Sequence, residues 1–374
     1  MIKNYDAILV VGTRPNFIKA APLLEYFEEN KVNTLFIHTG QHKDKSMSSN
    51  IFEDLNIREP DIYLDTPTTN MNKQTTYIVD KLDTLFDTNK SKYVGVFGDV
   101  TSTLAAAIST KNKKMELFHV ESGLRSRNMD MPEERNRIMV DSISDYLFAP
   151  SDDAVDNLNS ENLSAKYMGN VGNIMIDTLE KNLEKILQSS DQIKEKLSIT
   201  GKYFVVTIHR PSNLSDENLV KIFAGLKEFS NEYQIVLPAH PRLKKYINDN
   251  DVEHENIFIL NPLSYIDFLG LVSSSDLVLT DSGGLQEETT HLNVKCLTLR
   301  NETERPITVT EGTNKVIGIE TEKIIYEINT TIQSKLSKGT EIKFWDGKTS
   351  ERIYKELYEL SLIHISEPTR PIAI

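Results

Sequence analysis

The chain has 374 residues, long for one ordinary domain and ample for two. With 39% hydrophobic and 26% charged residues, its composition is that of a globular chain and not of a disordered one. A net charge of −13 argues against a nucleic-acid surface, so an anionic ligand would need a locally basic pocket, and a single cysteine, Cys296, excludes an internal disulfide framework and a cysteine-rich zinc site.

The N-terminal stretch MIKNYDAILVVGTRP has its apolar core at 7–11, which reads as a buried strand and is too short for a secretory signal. No apolar run approaches the roughly 20 residues of a membrane span. A cytoplasmic protein with no membrane and no nucleic-acid partner is expected. Further along, short β-forming runs at 34–37, 93–97, 117–120, 146–149 and 166–168 alternate with helical patterns at 17–29, 75–86, 101–109 and 133–144. A second series follows, with strands at 203–207, 234–237, 257–260, 277–279 and 295–299, again separated by helices. This alternation is the signature of βαβ units. The fold class expected is α/β, two Rossmann-like domains facing a cleft. The boundaries are 1–171 and 172–344, and a helix at about 345–360 returns to the first domain. The tail 361–374 carries two prolines and fits neither series; it reads as a frayed or foreign extension.

Ligands of open parallel sheets bind outside the carboxyl ends of the strands. The residues just past each strand are therefore the ones to read. In the first half these are Gly12-Thr13-Arg14-Pro15, then Gly98 and Asp99, then Glu121-Ser122-Gly123. In the second half they are His209-Arg210, His240, Asp281-Ser282-Gly283-Gly284 and Arg300. Each has a bland reading alone, as a cap, a turn or a solvated side chain. Their coincidence on the binding edges of both sheets is what points to a site.

Two features have a specific physical sense. The stretch LVLTDSGGLQEE joins a strand, a glycine pair and a helix start. A helix N-terminus offers unpaired N–H groups and about half a positive charge, and glycines let the backbone approach an anion. Glu288, one turn on, could accept from a ribose diol, although the helix dipole alone also favours acids there. No G-x-G-x-x-G fingerprint follows the first strand, so a nicotinamide cofactor is not expected. Arg14, in the first turn of its helix, suits a phosphate because its fork is planar and always charged. Lys19 could be a solvated helix lysine, but its neighbours Ile18, Ala20 and Ala21 suggest a partly buried helix. Glu133 and Glu134 open a helix after Pro132, where dipole complementation and chemistry remain open alternatives.

Taken together, the stretches GTRPNFIKAAPL, HTGQH, GDVTSTLAAA, HVESGLRS, MPEERNRIMVD, VTIHR, PAHPR, LTDSGGLQEE, LRNETERP and DGKTSERI resemble the non-hydrolysing UDP-N-acetylglucosamine 2-epimerases. They stand in the family's order and cover nearly everything from Ala7 to about Leu360. The resemblance implies the two-domain GT-B fold, a homodimer, no cofactor and no metal. It implies interconversion of UDP-N-acetylglucosamine and UDP-N-acetylmannosamine. It places UDP on Arg14, His240, Ser282, Gly283, Gly284 and Glu288, with Arg300 and the loop of Glu304 and Arg305 closing the nucleotide pocket. The sugar chemistry falls to Lys19, Asp99, Glu121, Glu133 and His209.

The chain also departs from the family. Many bacterial members read His-Arg-Arg-Glu-Asn where this chain has His209-Arg210-Pro211-Ser212-Asn213. In those members this region, a Gln-His-x-x-Gln motif and an Arg-Gln pair form a second, activating UDP-N-acetylglucosamine site. Here Asp44 replaces the second Gln and the pair reads Lys73-Gln74, whereas Gln41, His42, Gln74 and Arg210 remain. A weakened activator site is expected. Four outcomes compete: the non-hydrolysing epimerase, a hydrolysing relative releasing UDP and N-acetylmannosamine, a retaining glycosyltransferase sharing the fold, and a non-catalytic nucleotide-sugar sensor. Product identity, dependence on an acceptor, and exchange of the C2 proton separate them. Epimerases of modified UDP-sugars share the same framework.

Overall fold

The structure is a computed structural model that describes residues 2–41, 52–67, 70–239, 243–244, 246–247, 255–334 and 341–360. The chain divides into two compact units. Unit 1 is Met1–Thr178 with the C-terminal stretch from Lys343, and unit 2 is Leu179–Ile342.

Unit 1 is built on seven strands: β1 (Lys3–Val11), β2 (Thr34–His38), β3 (Ile62–Tyr63), β4 (Asn89–Phe97), β5 (Glu116–Val120), β6 (Tyr146–Ala149) and β7 (Tyr167–Asn170). Their order is β3-β2-β1-β4-β5-β6-β7 and every pairing is parallel. Its helices include α1 (Arg14–Glu29), α2 (Met71–Thr88), α3 (Thr101–Asn112), α4 (Pro132–Ile143) and α5 (Asp152–Ser160). The covered parts of the central strands, Ala7–Val11 of β1 and Tyr93–Phe97 of β4, read as apolar runs because a parallel sheet is covered on both faces. Ile8, Val10, Val94, Val96 and Leu117 pack with Ile78, Leu82 and Phe86 of α2 in one buried cluster.

The chain steps outward from β1 to β2 on one side and to β4 on the other, which makes the β1/β4 edge a topological switch point. Asn16 ties that point together. Its Oδ1 accepts from the backbone N–H of Gly12 and of Thr13 at 3.2 Å, capping α1, while its Nδ2 donates to the Phe97 carbonyl at 2.9 Å. The C-terminal helix α12 (Thr349–Tyr354) continues into a π-helical turn, Lys355–Leu360, and belongs to this unit. Tyr354 and Tyr358 set their rings against Tyr26 and Phe27 of α1. The buried Asp177 carboxylate accepts from the N–H groups of Thr349 (3.0 Å) and Ser350 (2.7 Å), capping α12.

Unit 2 repeats the plan with six parallel strands: β8 (Tyr203–Thr207), β9 (Gln234–Pro238), β10 (Ile257–Leu260), β11 (Leu277–Thr280), β12 (Cys296–Thr298) and β13 (Asn314–Val316). The order is β10-β9-β8-β11-β12-β13, so β8 and β11 flank the equivalent switch point. Around it stand α7 (Asp216–Lys227), α8 (Tyr265–Ser273), α9 (Gly283–His291), α10 (Ile307–Thr310) and α11 (Thr321–Gln333), and the boundary between the units falls within α6 (Ile174–Lys196). Phe204, Val206, Leu237, Leu279 and Leu297 from the strands meet Leu219, Ile222 and Ile324 from the helices. Thr207 and Thr280, side by side on β8 and β11, share a 2.6 Å hydroxyl hydrogen bond, which satisfies two polar groups inside the sheet. Among the described residues no helix is long and apolar enough to cross a membrane.

Candidate active site

At the switch point of unit 1, Lys19 reaches from α1 to the Glu121 carboxylate just past β5, and the two form a buried ion pair at 8% and 5% exposure. Glu121 sits at φ +71°, a conformation that costs a residue with a side chain of order 1–3 kcal/mol and that persists at functional sites. Gly98 lies beneath the pair at φ +61°; a Cβ there would stand 2.8 Å from Lys19 Nζ and 3.1 Å from Glu121 Oε2. The glycine therefore answers both a backbone need and a close approach.

Asp99 follows directly. Its Oδ2 accepts from Arg137 Nη2 at 2.6 Å and Nε at 3.2 Å, and its own carbonyl accepts from Asn136 at 2.8 Å. Arg137 also pairs with Glu134, which is wholly buried and accepts from the N–H groups of Ser126 and Arg127. The two acids at the start of α4 thus divide: Glu134 is committed to holding the loop before the helix, and Glu133 is half-buried. Arg14, the first residue of α1, is also half-buried.

Beneath this edge runs a buried polar network that strand patterning conceals. His119 of β5 bridges the Gly98 carbonyl (2.8 Å, Nε2) and Asp141 of α4 (2.6 Å, Nδ1). Asp141 accepts further from the Gly123 N–H (3.0 Å) and pairs with Arg125 (2.7 Å). Burial alone would raise the Asp141 pKa, but His119 and Arg125 outweigh it and hold the group below its ordinary value.

Two of the residues expected at an activator site also meet in unit 1. Gln41 accepts from Ser102 at the start of α3, at 3.1 Å from the N–H and 2.7 Å from the hydroxyl, and its carbonyl accepts from Gln74 at 3.3 Å. His42, Asp44 and His240 lie outside the described residues.

In unit 2 the organising group is Asp281, a fully buried carboxylate just past β11. It faces His209 and Arg210 across the switch point. His209 Nδ1 is 2.9 Å from its Oδ1, and Arg210 Nε donates to its carbonyl at 3.0 Å. The Arg210 guanidinium goes on to Glu304 at 3.3 Å, which also pairs with Arg300 (2.7 Å) and Arg305 (2.5 Å). Arg305 pairs in turn with Glu287 of α9 at 3.0 Å. Burial alone would raise Glu304, but the three guanidiniums of Arg305, Arg300 and Arg210 hold it far below the usual carboxylate range. This cluster abuts the start of α9: a Cβ on Gly283 would stand 2.3 Å from Arg305 Nη1. Ser282, Gly283 and Gly284 are half-buried at that helix start, and Glu288 is buried one turn on.

The structure thus joins Lys19 with Glu121, Gln41 with Gln74, and His209 with Arg210 and, through Glu304, with Arg300. Sequence reading passed over Arg137, His119 and Asp141 as site elements. For Arg137 and Asp141 a signal existed, since both fall in MPEERNRIMVD at one-turn spacing after Glu133. Among the described residues no group of three or more His, Cys, Asp or Glu side chains is placed to hold a metal ion.

Two doubly wound parallel sheets, each with charged and glycine residues at its switch point, define an α/β protein of two Rossmann-like units. The family model described as UDP-N-acetylglucosamine 2-epimerase matches residues 25–358. A UDP-N-acetylglucosamine 2-epimerase of Methanocaldococcus jannaschii is 35% identical over 93% of this chain and 98% of its own length. A UDP-2,3-diacetamido-2,3-dideoxy-D-glucuronate 2-epimerase of Pseudomonas aeruginosa is 33% identical over 94% and 99%. The crystal structure of the M. jannaschii UDP-GlcNAc 2-epimerase in complex with UDP-GlcNAc and UDP has a TM-score of 0.87 at 34% identity, covering 94% of this chain and 99% of that one. The chain belongs to the UDP-N-acetylglucosamine 2-epimerase family. It is an epimerase that acts on a UDP-sugar.

Proposed function

We propose that the protein interconverts UDP-N-acetylglucosamine and UDP-N-acetylmannosamine by inversion at C2, without net hydrolysis. The observation that carries this reading is the pairing of two carboxylates with fixed cations at one sheet edge of unit 1, Glu121 with Lys19 and Asp99 with Arg137.

The chemistry needs such groups. The C2 proton is only weakly acidic because no carbonyl adjoins it. Breaking the C1–O bond to UDP first develops positive charge at C1, which acidifies C2–H. Loss of that proton gives a 2-acetamidoglucal and UDP. Re-addition of UDP at C1 and of a proton to the opposite face of C2 gives the epimer. Removal and return of the proton are tasks for Asp99, Glu121 and Glu133, of which Glu121 is held by a lysine that can take part in the same transfer.

UDP must be a good leaving group that stays bound. Unit 2 supplies this in our reading. Ser282, Gly283 and Gly284 at the start of α9 receive the diphosphate, the Arg300–Glu304–Arg305 cluster supplies positive charge beside it, and Glu288 receives the ribose. His209 stands at the same edge as a proton-accepting or donating group. Ion-exchange separation of the products from UDP-N-acetylglucosamine tests the outcome. An intact second UDP-sugar supports the reading, and free N-acetylmannosamine with stoichiometric UDP refutes it.

A second reading concerns the sugar alone. The Pseudomonas relative acts on a diacetamido-uronic acid at nearly the same identity. Comparing kcat/KM for the two UDP-sugars decides between them. The wider expectation, that the product supplies cell-surface polysaccharide from the cytoplasm, is part of the same proposal.

A further inference from the structure

We propose that Asp281 is the positioning residue for His209, fixing the imidazole through Nδ1 so that Nε2 is the nitrogen offered to the ligand as an acceptor. The inference deepens the role assigned to His209 above and rests on that reading.

Geometry carries it. Asp281 is fully buried, whereas the His209 side chain is 53% exposed. The carboxylate therefore anchors one end of a ring whose other end is wet. Asp281 accepts from four donors. They are the His209 N–H (3.1 Å to each oxygen), the Arg210 N–H (2.9 Å), Asn213 Nδ2 (3.2 Å) and His209 Nδ1 (2.9 Å). Every one of these atoms can donate, and an ionised carboxylate can only accept. With Asp281 ionised, Nδ1 must carry the proton, and in the neutral ring Nε2 then keeps its lone pair. Burial alone would raise the Asp281 pKa, but the His209 contact and the two backbone N–H groups outweigh it, so the group stays ionised.

The placement also follows from the fold. His209 and Asp281 come from the ends of β8 and β11, the neighbouring strands that flank the unit 2 switch point. The loop after β8 is pinned by the carboxylate at two consecutive N–H groups, so ring orientation and backbone path are set by one residue. When Nε2 takes up a proton, the imidazolium lies against an anion that does not itself become protonated. The same logic serves any base oriented by a buried carboxylate.

A merely structural Asp281 would behave differently from a positioning one. In Asp281→Asn the amide oxygen still accepts from the His209 and Arg210 backbone N–H groups. Its NH2, turned to Nδ1, would favour the opposite tautomer. The first measurement is the 15N spectrum of His209 in the wild-type protein at pH 8.5, assigned with His209→Gln. We expect a protonated Nδ1 and an unprotonated Nε2; the reverse tautomer overturns the proposal. The second is turnover of Asp281→Asn, expected to fall about 10²–10⁴-fold in kcat, with KM changed less than about threefold. Wild-type kcat in a folded Asp281→Asn also overturns it. If that variant does not fold, the wild-type spectrum decides alone. The tautomer is read without any turnover, so failure of the epimerase reading leaves a distinct signature.

Discussion

Arg137 grips Asp99 through two nitrogens, Nη2 at 2.6 Å and Nε at 3.2 Å from Oδ2, and donates with its third to the buried Glu134. One guanidinium, itself 1% exposed, thereby fixes a candidate acid or base to the start of α4. Removing one partner of a buried pair leaves an uncompensated charge, which typically costs about 3–5 kcal/mol. Arg137→Met should lower the unfolding free energy by an amount of that order in urea titration. Arg137→Lys keeps the charge without the fork, so it should stay folded and lose turnover. Wild-type stability and rate in both variants would detach Arg137 from the site.

Asp99→Asn, Glu121→Gln and Glu133→Gln should each reduce kcat by about 10²–10⁴-fold, the usual contribution of a proton-transfer group. Calorimetric affinity for UDP should change little. All three carboxylates belong to unit 1, whereas the proposed diphosphate cradle belongs to unit 2. A variant that loses UDP affinity as steeply as turnover would have been misassigned.

Gly98→Ala tests close approach. The added methyl would collide with the Lys19–Glu121 pair at a backbone position, φ +61°, that alanine adopts at a cost of about 1–2 kcal/mol. Turnover should fall with Tm. Gly201→Ala, with nothing within 4 Å of the new Cβ, is the control and should be silent in turnover.

Acid should unfold the protein by way of its buried carboxylates. Glu304, Asp281 and Asp141 are all held below their ordinary values. A depressed folded pKa contributes stability above the unfolded pKa, near 4, and that stability is lost as pH falls through the folded value. Asp177 acts in the opposite sense, because burial raises its pKa despite the N–H groups of Ser350 and Thr349. Tm should therefore hold from neutrality to about pH 4.5 and then drop. Glu304→Gln should flatten the lowest part of that slope, and an unchanged slope would remove Glu304 from the account.

Regulation can be read from the reverse reaction. Starting from pure UDP-N-acetylmannosamine, a prompt linear rate with little response to trace UDP-N-acetylglucosamine is expected. An ionised Asp44 can only accept and repels a diphosphate, Pro211 removes a donor, and Lys73 lacks a fork. A long lag abolished by the trace would mean that Gln41, His42, Gln74 and Arg210 suffice to hold an activator.

The α/β class was legible because the covered parts of most strands are apolar runs, as in LVLT of β11, where every residue is buried. The two-residue β3 and the polar β13 (NKV) carry no such run and escaped notice. The first half of β4, NKSK, is polar and only its first residue, Asn89, is buried, so it too lay outside the apolar run. At the site, pattern reading singled out Lys19 from its apolar neighbours but could not name Glu121 as its partner, since the two are 102 residues apart. Nor could it separate Glu133 from Glu134, because what distinguishes them, the Arg137 guanidinium and the N–H groups of Ser126 and Arg127 that converge on Glu134, is visible only in the fold. His119 was hidden inside the apolar run LFHV, where a histidine looks like a lapse of the pattern until its two partners are seen.

The central claim, inversion at C2 through loss and return of its proton with UDP retained, is tested most directly by incubating the protein with UDP-N-acetylglucosamine in D2O and following the sugar by 1H NMR. The expected result is UDP-N-acetylmannosamine carrying deuterium at C2, with UDP-N-acetylglucosamine acquiring the same label as equilibrium is approached. UDP-N-acetylmannosamine that retains its C2 proton, or no solvent label in either sugar, would contradict it.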